Sequence, residues 1–370
     1  MDLRRLGFIL AIIIILFGVV VGVAKTQTPP VVIIASLIST TIAVSTPLIL
    51  GALCGIFCER AGVVNIGIEG MMLSGAFFGW LASIYVNTVF HPSVGVSLFA
   101  GVFMALLSAA LFALLHAVLS VTFKVDQIIG GTVINILAVG LTGFLNRQLF
   151  FGPRSVFGGQ IPNSPGLLPR LNLPVTELFQ RFCNGGEQCL LIGKSLDKIV
   201  DQQTIAISAI VLVFVVHYII FSTRWGLRTR SVGEHPRAAD TVGINVYFMR
   251  YANVIIGGLF AGLAGAYFTL ESQGSFEPLM TNGRGFIALA AMIFGNWAPI
   301  GAWGASLLFG AAQALNINLQ FYRALIPSQF AFLQQAYIVG LAPYILTMIV
   351  LAGIVGKTTP PAADGIPYEK

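Results

Sequence analysis

Between residues 31 and 57 the chain reads VVIIASLISTTIAVSTPLILGALCGIF, an apolar run without one Asp, Glu, Lys or Arg. About 20 apolar residues in a helix cross a bilayer core of ~30 Å, so this run is long enough to span a membrane. Similar runs lie at 6–24, 71–90, 94–119, 127–149, 205–222, 250–271, 299–320 and 334–355, with a shorter one at 284–297. The expected fold is all-α, a polytopic membrane protein of about 10 membrane segments, one of them short, broken or re-entrant.

Composition points the same way. Apolar residues make up 56% of the 370 and charged ones 9%, with a mean hydropathy of +0.89, whereas a soluble domain carries roughly a quarter charged residues. A soluble enzyme, a disordered protein and a nucleic-acid-binding domain are excluded. The net charge of +6 is spread over the ends of apolar spans instead of forming one basic face. Four cysteines rule out a disulfide scaffold.

Lysines and arginines in the short loops set the expected orientation. With the N-terminus inside, Arg4, Arg5, Arg60, Lys124, Arg224, Arg228, Arg230, Arg237, Arg250, Lys357 and Lys370 fall on the cytoplasmic side. Lys25, Arg147, Arg284 and Arg323 fall in the short loops opposite, and both termini are cytoplasmic. Residues 1–28 then form a retained N-terminal membrane helix, because no small-x-small cleavage site follows it. Residues 29–356 form the transmembrane domain, with an extracytoplasmic loop at 150–204 and a cytoplasmic loop at 223–250, and 357–370 is a cytoplasmic tail. In the outer loop Cys183 and Cys189 bracket Asn-Gly-Gly-Glu-Gln, a separation that suits a small disulfide loop.

Several chemistries are missing from the sequence. Gly193-Lys194-Ser195 resembles the end of a phosphate loop, but G-x-x-x-x-G-K-[ST] needs glycine where Gln188 stands. ATP hydrolysis on this chain is not expected. His116 and His217 each stand alone in a span, with no carboxylate one turn away, and read as packed histidines instead of a proton relay. Cys54 and Cys58 share a helix face without a nearby histidine and read as small packing residues, not metal ligands.

Two segments break the apolar rhythm. The first, ERAGVVNIGIEGMM (59–72), sets two carboxylates, an Asn and three glycines between two spans. Irregular backbone at membrane depth is tolerated only when buried in protein or lining a water-filled cavity, so a broken helix beside a translocation pathway is expected. The second is the loop 224–250. There Gly233 closes one element, Pro236 opens the next and Gly243 stops it, so Pro236 to Thr241 is expected to form a short helix with small residues on one side.

These segments, GEHPRAADTVGINV (233–246) and GRGFIALAAMIFGNWAPIGAWGASLLFGAAQAL (283–315) together resemble the membrane subunit of a bacterial ABC importer. The similarity runs over roughly residues 40–355, to the permeases for simple sugars, nucleosides and branched-chain amino acids, and Val-Asn-Ile-Gly-Ile-Glu-Gly-Met-Met (64–72) looks closest to the nucleoside and simple-sugar branch.

The resemblance implies that Gly233, Glu234, Pro236, Ala238, Ala239 and Gly243 belong to a coupling helix seated on a separate ATP-binding subunit, which holds the ATP and Mg; this chain carries no cofactor. It further implies a second permease, a related chain more than a copy of this one, an extracytoplasmic solute-binding protein and a bacterial inner-membrane location. Candidate pathway residues are those with polar or ring side chains at membrane depth: Asn65, Glu69, Asn135, Asn253, Gln273, Phe286, Trp297, Asn316 and Asn318. A nucleoside is the expected substrate, ahead of ribose-type sugars and branched-chain amino acids. An ion-coupled secondary transporter and a membrane-embedded transferase are the competing classes, and no convergent catalytic side chains favour the latter.

Overall fold

A computed structural model describes residues 29–151, 163–171, 176–177, 187–321, 341 and 358–369. The spans expected at 6–24 and 334–355, and the expected Cys183–Cys189 pair, fall outside what is described. In chain order the helices are α1 (Pro30–Arg60), α2 (Ile68–Phe90), α3 (Val94–Ala117) and α4 (Gln127–Asn146), then α5 (Glu187–Val200) and α6 (Thr204–Ser222). They continue with α7 (Arg224–Glu234), α8 (Pro236–Thr241), α9 (Val246–Ala266), α10 (Arg284–Phe294) and α11 (Pro299–Phe321). Among the described residues, seven helices are long and apolar enough to cross a membrane, and the protein is an all-α polytopic membrane protein.

Three of the spans run on past their α-helices as π-helical turns, Val118–Thr122, Arg147–Phe151 and Tyr267–Ser272. The expected segment 284–297 is an 11-residue helix, too short to cross, ended by Asn296 and Trp297 in left-handed geometry. The described part of the segment 150–204 has secondary structure of its own. It contains α5, and the short strands β1 (Arg170–Leu171) and β2 (Gln202–Gln203) pair antiparallel.

The chain divides into two compact units. One comprises 1–46, 169–207 and 304–358. In it Gln202 donates to Ser39 Oγ at 3.0 Å and Thr204 to the Pro169 carbonyl at 2.6 Å, tying 202–204 to α1 and to the residue before β1. The other comprises 47–168, 208–303 and 359–370 and contains 59–72, 224–250 and every pathway candidate except Asn316 and Asn318.

Close helix approach builds the core of this second unit. A Cβ on Gly75 would stand 2.9 Å from the Gly262 Cα and 3.3 Å from the Ala105 carbonyl oxygen, so α2, α3 and α9 meet backbone to backbone there. Dispersion and small-residue packing hold such contacts where lipid removes the usual hydrophobic drive. Outward-facing apolar side chains remain exposed on the same unit, Phe99 at 74%, Ile136 at 66% and Tyr218 at 64% among them, as a lipid-facing surface requires.

Candidate functional site

The helix break at 61–67 leaves backbone groups without helical partners, and side chains from α3 and α4 take them up. Gln127 Oε1 accepts from the Val64 N–H at 2.6 Å, and His116 Nε2 lies 3.0 Å from the Val64 carbonyl. Asn135 donates to the Ile66 carbonyl at 3.0 Å and accepts from the Gly70 N–H at 2.7 Å. Asn65, fully buried, accepts from the Gly67 N–H at 3.0 Å and turns its amide nitrogen to Cys58 Sγ at 3.4 Å and Met71 Sδ at 3.6 Å. An unpaired buried amide costs about 1–3 kcal/mol, so these partners are what let the chain break at this depth. Gly62, at φ +80°, makes the turn itself.

Glu69 in the first turn of α2 faces the start of α10. Its two oxygens accept from the Gly283 N–H at 2.8 Å and the Gly285 N–H at 2.6 Å, so one carboxylate caps the half-length helix. Arg284, beside them, stacks over the Phe268 ring at 5.2 Å. At the far end of α10, Trp297 is buried and donates its indole N–H to Glu59 at 2.6 Å, while Arg60 donates to the Trp297 and Asn296 carbonyls. Both ends of α10 are thus fastened to the two ends of the break between α1 and α2.

Below this break lies the short helix. α8 covers Pro236–Thr241, with Pro236 in its first turn and Gly243 at φ +86° beyond its end. Asn245 caps α9 by accepting from the Phe248 N–H at 2.9 Å. Ala239 is buried, in a cluster with Val232, Val246, Met249 and Tyr368, while Ala238 faces out. Asn253, fully buried, accepts from Trp225 Nε1 at 3.2 Å and Thr229 Oγ1 at 3.3 Å, which fixes α7 to α9. A cleft of about 420 Å³ lined by Leu227, Arg230, Glu234, His235, Ala238 and Val242, with others, opens along α8. Its lip is apolar, Val242 being 75% and Leu227 59% exposed, and Arg230 and Glu234 are the charged residues of its lining.

Sequence comparison decides what a chain with a broken span, a half-length helix and a short helix between two longer ones is. A family model described as "Branched-chain amino acid transport system / permease component" matches residues 37–354. The chain belongs to this permease family. Two relatives are the guanosine ABC transporter permease NupQ of Bacillus subtilis, 40% identical over 91% of this chain and 98% of its own length, and the nucleoside ABC transporter permease NupC of Lactococcus lactis, 39% identical over 88% and 94%. A third, the guanosine ABC transporter permease NupP of Bacillus subtilis, is 25% identical over 76% of this chain and 75% of its own. No solved structure matches. As a permease the chain is a transport component and not an enzyme.

The residues expected along a pathway divide by environment. In the permease Asn65, Asn253 and Trp297 are buried, with their polar atoms engaged inside the chain. Glu69 and Asn135 are half-buried and hold backbone groups. Gln273 and Phe286 are exposed, Phe286 at 48%. On α11, in the other unit, Asn318 is buried and donates to the Ala314 carbonyl, and Asn316 is half-buried.

Sequence reading placed no weight on Gln127, or on the segment 359–369, which folds back onto the loop before α8. His116 was read as a packed, hydrogen-bonded histidine, and its ring bonds the Val64 carbonyl.

Proposed function

We propose that this permease is one of two related membrane subunits of an ATP-driven importer for nucleosides in the bacterial inner membrane. α8 is its coupling helix, seated on a separate ATP-binding subunit through Gly233, Glu234, Pro236, Ala238, Ala239 and Gly243. The carrying observation is the joint placement of α8 and the helix break. A short knob with an exposed Ala238 and an apolar cleft at its side is anchored, through buried Asn253 and Val232, to α7 and α9, and Gly233 at the end of α7 lies against the Arg60 carbonyl where the break begins.

ATP and its Mg bind the partner subunit, whose closure moves α8, and a solute-binding protein delivers substrate from outside. Energy enters as the difference in ATP affinity between two conformations, so this chain supplies a pathway with two openings. Phe286 and Gln273 are the substrate-facing candidates, since an exposed ring can stack on a base and an exposed amide can bond its edge or the ribose. Asn316 is a weaker candidate of the same kind. Asn65, Glu69, Asn135, Asn253, Trp297 and Asn318 serve the framework. Nucleoside is favoured by the two relatives near 40% identity, and pairing with a second, different permease by the matches to both NupQ and NupP.

The test is reconstitution with the ATP-binding subunit, the second permease and the binding protein in proteoliposomes. ATP-dependent uptake of labelled guanosine is expected, and Ala238→Arg with Ala239→Arg is expected to abolish it while the chain stays membrane-inserted. Uptake driven by an ion gradient without ATP, or unchanged in the double variant, would overturn the assignment.

A further inference from the structure

We infer that the carboxyl-terminal segment 359–369 is a positioning element of the importer. It clamps the loop carrying α8 to the helix break at 59–62 and to the end of α10, so that movement of α8 reaches those elements. The inference rests on the coupling role given to α8 above.

The segment is held along its whole described length. The Thr359 N–H donates to Asn296 Oδ1 at 3.0 Å, just past α10. The Ala362 N–H donates to the Glu234 carboxylate at 3.2 Å and the Ala363 N–H to the Gly233 carbonyl at 2.8 Å, both at the last turn of α7. Arg250 donates to the Ile366 carbonyl at 2.9 Å, and Lys124 pairs with Glu369 at 2.8 Å. Tyr368, 5% exposed, packs in the apolar cluster that also holds Ala239.

These contacts straddle a hinge. His235 joins α7 to α8 with φ −140° and ψ 79°, outside helical geometry. Gly233 and Glu234, before it, are bonded by Ala363 and Ala362; Ala239, after it, is packed by Tyr368 and its cluster. A loop with one non-helical joint would otherwise absorb a push on α8 by bending there.

The same segment touches the break. A Cβ on Gly62 would stand 2.9 Å from Arg250 Nη2 and 3.0 Å from the Ala363 carbonyl oxygen, and the Asp364 carboxyl lies near that of Glu59. Arg250 is 1% exposed, and a guanidinium retained at such burial needs acceptors. The Ile366 carbonyl supplies one from the segment itself. The clamp also lies beyond residues 37–354, the part matched by the family model.

The experiment uses the assembled complex in proteoliposomes, comparing the parental chain with Tyr368→Phe, Tyr368→Ala and a chain ended after Thr358. Recovery of assembled complex, basal ATP hydrolysis and guanosine imported per ATP are read together. Tyr368→Phe is expected to match the parental chain. Tyr368→Ala and the shortened chain are expected to assemble and hydrolyse ATP at the parental basal rate while importing at least tenfold less guanosine per ATP. A parental ratio in Tyr368→Ala would overturn the inference, as would transport lost only in step with assembled complex. Failure of the parental chain to bind any ATP-binding subunit would instead remove the coupling role on which it rests.

Discussion

The carboxylate of Glu69 accepts hydrogen bonds from the N–H groups of Gly283 and Gly285, at 2.8 and 2.6 Å, across more than 200 residues of chain. A cap of this kind does two things at once: it satisfies orphan donors of α10 and sets negative charge at the positive end of a helix. Glu69→Ala is expected to lower stability by about 2 kcal/mol, read as a fall in the thermal midpoint in detergent. Glu69→Gln, which keeps one acceptor, is expected to fall between. Gly285→Ala is expected to be worse than either, because its Cβ would stand 2.6 Å from the Glu69 backbone nitrogen and 2.7 Å from its Cα.

Asn65 offers a contrast between framework and pathway. Replacement by Ala leaves the buried Gly67 N–H without its acceptor and is expected to cost about 1–3 kcal/mol. Uptake per folded molecule is expected to stay within twofold of the parental value. Thermal unfolding and nucleoside uptake, normalised to inserted protein, give the two numbers, and a large loss of uptake at parental stability would return Asn65 to the pathway.

Phe286 is expected to behave oppositely. Its ring is 48% exposed, so Phe286→Ala should move the thermal midpoint little, in line with surface substitutions that stay within about 0.5 kcal/mol. Base–aromatic stacking contributes ~1–3 kcal/mol, so a rise of roughly tenfold in KM for guanosine uptake is expected, with Phe286→Tyr close to parental.

Docking of the carboxyl-terminal segment is expected to depend on pH. Burial pushes the Asp364 carboxyl up from 3.8 to about 6, against the opposing pull of the Glu59 hydrogen bond, the Gly365 amide and the Arg250 charge. Because the docked value lies above the free one, this contribution is complete below pH ~4 and is lost as pH rises through about 6. A nitroxide on Ile366→Cys, 55% exposed, is expected to show a larger mobile fraction at pH 8 than at pH 5. Asp364→Asn should remove the difference.

The spans were legible because a membrane imposes a length on every apolar helix, and the expected limits 94–119, 127–149 and 205–222 fall within a few residues of the observed spans. The α8 knob was legible for another local reason: Pro236 and Gly243 fix where a helix starts and stops. What could not be read locally were the partners. Gln127, His116 and Asn135 meet the break across 52 to 69 positions of sequence, and hydropathy carries no information on which spans adjoin. Polarity at membrane depth does not distinguish a group facing water from one bonded inside the chain, as the polar atoms of Asn65 and Trp297 are. The segment TTPPAADGIPYEK (358–370) is polar and proline-rich, the pattern of a solvated tail. Its docking shows in the burial of Tyr368 and Arg250 and in its hydrogen bonds to Asn296, Gly233 and Glu234.

The ion pair between Lys124 and Glu369 has a practical side for anyone purifying this protein. Anything fused after Glu369 would emerge beside Lys124 and within a few residues of Tyr368, at the surface where the ATP-binding subunit is expected to sit. A purification handle attached there would compete with the partner it is meant to recover. A tag on the ATP-binding subunit avoids that obstruction.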